Sequence, residues 1–400
     1  MLRLLFALTF LVLSAPADAQ LRGHGGPVRA LAVSPDGNEA ASGSFDTAVI
    51  RWSLASNTAK QVLRFHAGAV NAVLFLPDGR LASSGEDARI AIWEAGRQQP
   101  SAILEGHAAP VVGLAVAPDG NAVASAGWDH TARVWPLGSG ASPITIEGHS
   151  QGVNAVAFAP DGLSLVTAGY DAMVRVTPLR RAGSALSATL STSLNTVAVS
   201  PDGEIVTAGA DGKVYFLNSN AELRGEVAAG EAPIIALVLS PDARIIAAAG
   251  IRGSVAIIER ASRKLLRTLV GPGLPVWSLA FLKDGRTLLS GGTDRMIRRW
   301  DAETGEQIGD VVAGAPEDPL ARFAGDHGAE VFRACVACHT LDPAEGMRAG
   351  PSLAGIFGRK IATFPGYNFS EALRKLDIVW TPETISKLFE IGPMAYTPGT

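Results

Sequence analysis

Cysteine is nearly missing from this chain, with two in 400 residues. That scarcity excludes a disulfide framework, and it excludes a Cys-rich zinc site, which needs further thiolates among its four ligands. Net charge is nearly missing too. Lys and Arg number 34 against 38 Asp and Glu, a balance of −4, which gives no electrostatic reason to expect nucleic acid or an anionic membrane as partner. Long apolar runs are scarce. The longest near the start, Leu4 to Leu13, is broken only by Thr9 and is about half the ~20 residues a membrane span requires. No integral span is therefore expected. Arg3 before that run and Ala17-Asp18-Ala19 after it give the charged, apolar and small-x-small order of a secretory signal over residues 1–19. The expected location is periplasmic or otherwise exported. No Ser-His-Asp order, paired-carboxylate spacing, Gly-rich phosphate loop or basic-aromatic patch stands out, and the 44 glycines fall largely in turns.

What is present is repetition. A Pro-Asp-Gly turn recurs at Pro35, Pro77, Pro118, Pro160 and Pro201, then as Pro241-Asp242-Ala243 and Lys283-Asp284-Gly285, at spacings of 42, 41, 42, 41, 40 and 42. An apolar stretch such as Val28–Val33 precedes each turn, and a small-residue stretch ending near Ser/Ala-Gly follows it. A second turn carries Asp46, Asp87, Asp129, Asp171, Asp211 or Asp294; six residues further lie Trp52, Trp93, Trp135, Thr177, Leu217 or Trp300. His24, His107 and His149 follow Gly near the start of their units, and His66 follows Phe65. A period near 40 residues built of short strands means a radial or stacked array, because one unit cannot bury its own faces.

With Gly-His at the start of a unit and Trp, or Trp300-Asp301, at its end, the repeat resembles WD-repeat propellers. Seven periods imply seven blades of four strands. The resemblance implies that His107, Asp129 and Trp135, with a strand Ser or Thr, form a buried hydrogen-bond chain, so the blade histidines are structural rather than catalytic or metal-binding. Blades five and six lack the His, and blade six has Arg252 in place of the Asp; their chains are expected to be incomplete. Gln20 to Arg22 is too short for an outer strand, so the last blade's outer strand is expected from about 306–312.

The remaining chemistry sits at Cys335-Val336-Ala337-Cys338-His339. Two thiols three apart with an imidazole next is the spacing of c-type haem attachment: Cys335 and Cys338 for two thioether bonds, His339 as proximal iron ligand. Around it lie Gly325-Asp326, Gly328, Glu330 and Phe332, then Gly350-Pro351-Ser352-Leu353, Gly358-Arg359-Lys360, Pro365-Gly366-Tyr367, Phe369-Ser370-Glu371-Ala372, Trp380 and Pro398-Gly399-Thr400. In that order these residues resemble class I cytochrome c of the mitochondrial and alphaproteobacterial type. The resemblance implies one covalent haem c, a Pro351 carbonyl that accepts the N–H of His339, and Arg359 and Trp380 near the haem propionates. It also implies an N-terminal helix over Glu330 to Cys338, and a methionine iron ligand two residues beyond Thr400. Met347 and Met394 are poor substitutes on spacing, so the sequence reads as a fragment of a longer chain.

The expected architecture is multidomain: an all-β seven-bladed propeller followed by a small all-α cytochrome c domain. Its parts are a signal peptide over 1–19, the propeller over 20–312, a linker over 313–324 rich in Pro, Gly and charge, and the haem domain over 325–400. The expected function is an exported electron carrier, more a carrier than an enzyme with its own substrate. Redox partner proteins would meet the haem, and the propeller would dock a protein partner. Two alternatives stand beside it: a haem-based sensor or oxidoreductase with an open iron, and an interaction scaffold.

Overall fold

The computed structural model describes residues 20–309 apart from 139, 181, 182 and 272, together with 325, 326, 339, 341, 351–365, 369, 371–391, 396 and 397. The signal segment, the linker, the helix expected over 330–338, both motif cysteines and the methionines at 347 and 394 lie outside the described residues.

Residues 20–309 form seven four-stranded antiparallel sheets. Blade one is β2–β5 (Val28–Val33, Glu39–Ser44, Ala48–Ser53, Thr58–Arg64), and blade two is β6–β9 (Val70–Phe75, Leu81–Gly85, Ile90–Trp93, Ala102–Leu104). Blade three is β10–β13 (Val111–Val116, Ala122–Gly127, Ala132–Pro136, Ile144–Ile146), and blade four is β14–β17 (Val153–Phe158, Ser164–Gly169, Met173–Pro178, Leu186–Thr189). Blade five is β18–β21 (Leu194–Val199, Ile205–Gly209, Lys213–Leu217, Leu223–Ala228), and blade six is β22–β25 (Ile234–Leu239, Ile245–Gly250, Ser254–Glu259, Lys264–Val270). Blade seven joins β26–β28 (Val276–Phe281, Thr287–Gly292, Met296–Asp301) to β1 (Leu21–Arg22). The first strands of adjacent blades pack on one another all the way round, β26 against β2 closing the circle.

The recurrent turn explains the first hairpin of every blade. Proline presets φ at the second turn position, and the fourth needs a positive φ, which glycine adopts without strain. Gly79 shows the arrangement: its N–H donates to Leu76 O at 2.9 Å and its φ is 85°. In blade six Ala243 holds the same position at φ 54°.

Apolar residues alternate along the strands to fill both faces of a blade, so each core lies between two blades. Between blades one and two, Ala41, Val49 and Leu63 meet Val70, Val73, Phe75, Leu81 and Trp93. Three asparagines in first strands reach across the same seams. Asn71 donates to Val111 O at 3.2 Å, Asn154 to Leu194 O at 2.7 Å, and Asn195 to Ile234 O at 2.8 Å. Each acceptor sits where the register of the next blade shifts, and such a bulge takes a carbonyl out of the ladder.

Ring closure differs from the sequence expectation. The outer edge of blade seven is shared by two short pieces of chain. Leu21 and Arg22 pair with Ile297 and Met296, and Gln307 bridges to Trp300 further along. Two residues suffice because Leu21 is fully buried between blades seven and one, among Leu289, Ile297, Ile50 and Trp52.

Beyond the propeller, two helices are described, α1 (Glu371–Arg374) and α2 (Pro382–Ile391). Thr381 caps α2. Its hydroxyl accepts the N–H of Thr384 at 3.2 Å, the Thr384 hydroxyl accepts the N–H of Thr381 at 2.7 Å, and Pro382 occupies the first helical position, where no N–H is needed. No described helix is long and apolar enough to cross a membrane.

Candidate haem site

His339 lies twelve residues before a described stretch, residues 351–365. Its Nδ1–H donates to the Pro351 carbonyl at 2.7 Å. A carbonyl can only accept, so this bond fixes the proton on Nδ1 and the lone pair on Nε2. Burial lowers the pKa of the ring, and the positive charge of Arg64 lowers it further against the opposing Pro351 bond. A neutral imidazole with its Nε2 lone pair fixed is the form that binds iron, and its carbonyl partner tunes its basicity. The expected bond between His339 and Pro351 is therefore present.

Arg359 holds the loop that supplies this carbonyl. Its Nη1 donates to Ser352 O at 3.0 Å, its Nη2 to Ala354 O, and the guanidinium lies 5.0 Å from the centre of the Phe364 ring. Two of its donors are thus committed to main-chain carbonyls within three residues of Pro351, a positioning contact the sequence did not reveal. Trp380 is joined to the same region by main chain: its N–H donates to Arg359 O at 2.9 Å, and its carbonyl accepts the N–H of Gly358 at 2.8 Å. Ile361 N–H to Ile378 O at 2.8 Å extends the pairing. The structure thus brings His339, Pro351, Arg359 and Trp380 into one connected unit, while Cys335 and Cys338 lie outside the described residues. Among the described residues no three His, Cys, Asp or Glu side chains converge as a metal site; a haem iron asks for one axial imidazole, and these residues fit that need.

The blade histidines are occupied elsewhere. His107 Nδ1 bonds Asp129 at 2.8 Å, its Nε2 meets Ser125 Oγ at 2.7 Å, and Trp135 Nε1 donates to the same Oγ at 2.8 Å. A neutral ring satisfies every group: Trp gives to Ser, Ser to Nε2, and Nδ1 to Asp. His24 with Asp46, Ser42 and Trp52 repeats the arrangement, as does His66 with Asp87, Ser83 and Trp93. Burial lowers the pKa of His107 and of His149, in keeping with a structural role.

Blade five departs from the expected incompleteness. The Tyr215 hydroxyl donates to Asp211 and bonds Ser191 at 2.8 Å. In blade seven, which also lacks the His, Arg298 pairs with Asp294. In both blades the substitute stands four residues after the Asp.

Comparison with known proteins follows the same division. A profile described as "WD domain, G-beta repeat" matches residues 18–53, 57–94, 98–136, 140–177, 184–218 and 263–301, more than half of the chain. The interval it skips, 219–262, contains the three inner strands of blade six. The curated relatives include cytochromes. Cytochrome c of Sesamum indicum is 38% identical over 74 residues, which is 18% of this chain and 66% of that protein. Cytochrome c of Cochliobolus lunatus is 40% identical over 74 residues, 18% of this chain and 68% of its own length. Cytochrome c2 of Rhodopila globiformis is 42% identical over 86 residues, 21% and 74% respectively. The chain thus spans about two thirds to three quarters of the length of these relatives.

Proposed function

We propose, from the premise that the chain belongs to the WD domain, G-beta repeat family and in part to the cytochrome c family, that it is an exported single-electron carrier. In this reading its propeller docks a protein partner, and residues 325–400 form a small helical domain holding one covalent haem c. The observation that carries this reading is the His339–Pro351 bond, set one residue after the Cys335–Cys338 pair. When bound, haem supplies a reversible one-electron centre. The chain's own part is to tether and orient. Cys335 and Cys338 supply the thioether sulfurs, and His339 presents Nε2 with its ring held by Pro351. Arg359 holds the Ser352–Ala354 backbone in place, and its free donors together with Trp380 are suited to offset a buried propionate. Residues 1–19 direct the chain out of the cytoplasm, and redox proteins are its electron partners.

The test is the optical spectrum of the reduced, haem-loaded protein before and after carbon monoxide. A six-coordinate spectrum that ignores carbon monoxide supports electron transfer. Prompt carbon monoxide binding means an open iron and replaces this reading with small-ligand sensing or catalysis. In parallel, Cys335→Ala with Cys338→Ala is expected to lose all haem on a denaturing gel; haem retained there would refute covalent attachment.

A further inference from the structure

Blade six carries neither the blade His nor the turn Asp: Gly230 and Arg252 stand at their positions. In blades two, three and four the slot beneath the second-strand glycine is full. A Cβ added to Gly85, Gly127 or Gly169 would lie no farther than 3.0 Å from the His ring and the Asp carboxylate. Gly250 holds the equivalent position, and a Cβ there would meet nothing nearer than the Pro233 carbonyl at 3.3 Å. The slot opens as a cavity of about 140 Å³ whose lining includes Gly230, Glu231, Ala248, Gly250, Arg252 and Ser254. One water needs roughly 10–15 Å³ on this measure, so the space is an order of magnitude larger than a single water site.

The polar groups of the slot point to its occupant. In the four blades that keep the His, the Asp carboxylate accepts two main-chain N–H groups. One belongs to the residue after the His, as in Ala108 to Asp129 at 3.0 Å, and one to the residue two beyond the Asp, as in Thr131 to Asp129 at 3.1 Å. The equivalent residues in blade six are Glu231 and Ser254, and the chain offers them no carboxylate at that point. In the sequence Arg252 stands at the position of that Asp. Among the described residues Arg252 makes no ion pair or side-chain hydrogen bond, and it lies exposed at the cavity.

We propose that the blade-six slot binds a small monocarboxylate of acetate or formate size. Its carboxylate takes the place of the missing Asp, facing the Glu231 and Ser254 main chain, with Arg252 as its charge partner. Arginine pairs with carboxylates through two parallel N–H bonds, the strongest common geometry for such an anion. Glu231 is itself a lining residue, and a negative charge beside the slot disfavours dianions such as sulfate or hydrogen phosphate over a monoanion. The proposal stands on the propeller alone, so the outcome of the haem experiments does not bear on it.

The test is thermal unfolding of the intact, haem-loaded protein in sodium acetate and sodium formate against sodium chloride at matched ionic strength. The expected result is a saturable rise of about 2 °C in Tm, paralleled by saturable heat when acetate is titrated in a calorimeter. Arg252→Gln is expected to abolish both, and Glu231→Gln to lower the half-saturating concentration. Arg252→Asp, which restores the blade's own carboxylate, is expected to raise Tm in chloride and to ignore acetate. An acetate response equal in all four proteins would be a general salt effect and would overturn the proposal. So would the absence of any saturable heat with the unmutated chain.

Discussion

At the scale of single residues, the His-Ser-Asp-Trp chains make stability depend on pH. Burial holds the pKa of His107 and His149 below the ordinary value, so unfolding lets each ring bind a proton it refuses in the folded blade. Their contribution is complete above the unfolded histidine pKa of about 6.5 and is lost as pH falls below it. The partner carboxylates act in a lower window. Burial alone would raise Asp46, but His24 and the N–H groups of Ala48 and Gly25 bring it down to about 2, so its contribution fades only between about pH 4 and 2. Urea midpoints are expected to fall from pH 7.5 to 5.5, with His107→Gln showing a shallower fall than the unmutated protein. Equal slopes would mean that these rings are not held neutral.

The His-Ser-Asp-Trp chains were legible because His, Asp and Trp recur at fixed offsets. Tyr215 and Arg298 were not, because a different residue type at another strand position does the same work, leaving only an Asp-x-x-x-Tyr or Asp-x-x-x-Arg spacing as a trace. Tyr215 is 1% exposed, and its removal strips a bond from Asp211. Tyr215→Phe is expected to cost about 1–3 kcal/mol, read as a lower denaturant midpoint at unchanged slope. A change within error would place Asp211 in water. The clamp of Arg359 on Ser352 and Ala354 was hidden for a related reason. A guanidinium near a haem motif suggests a propionate, and nothing in the sequence marks main-chain carbonyls as its partners.

At the scale of elements, the turn period alone marks seven blades in the sequence. The closure was not readable, since a two-residue strand carries no periodicity and its pairing partner lies 276 positions away, Leu21 against Ile297. Burial decides it. Leu21 is 0% exposed within the seam of blades seven and one, so Leu21→Ala is expected to cost about 2–5 kcal/mol. Leu163, 44% exposed in a turn of blade four, serves as the control, and Leu163→Ala is expected to change stability by less than about 0.5 kcal/mol. Comparable losses at the two sites would show that β1 is not a structural part of blade seven. The inter-blade bonds of Asn71, Asn154 and Asn195 belong to this scale as well. In the sequence they are only polar residues in apolar strands, and the bulged carbonyls they reach are a property of the neighbouring blade.

At the scale of the whole molecule, the two outer-edge pieces make the ring self-contained. Leu21 and Arg22 on one side and Gln307 on the other complete blade seven. Seven inter-blade cores then run without a break, including the one that joins Trp300 of blade seven to Val255, Ile257 and Leu269 of blade six. Among the described residues, 20–309 complete that circuit. A protein of residues 20–309 is therefore expected to fold alone, melting within about 3 °C of the propeller transition of the full chain. The melt can be followed by tryptophan fluorescence, because Trp52, Trp93, Trp128, Trp135, Trp277 and Trp300 lie in the ring and only Trp380 lies beyond it. Starting the same protein at residue 24 removes β1 and opens the outer edge of blade seven. In a ring, losing one seam exposes two blade faces at once, so the melt is expected to broaden and drop by more than the Leu21→Ala change produces. If residues 20–309 fail to give a cooperative transition, the ring depends on the chain that follows it, and the propeller and the haem segment form one folding unit rather than two.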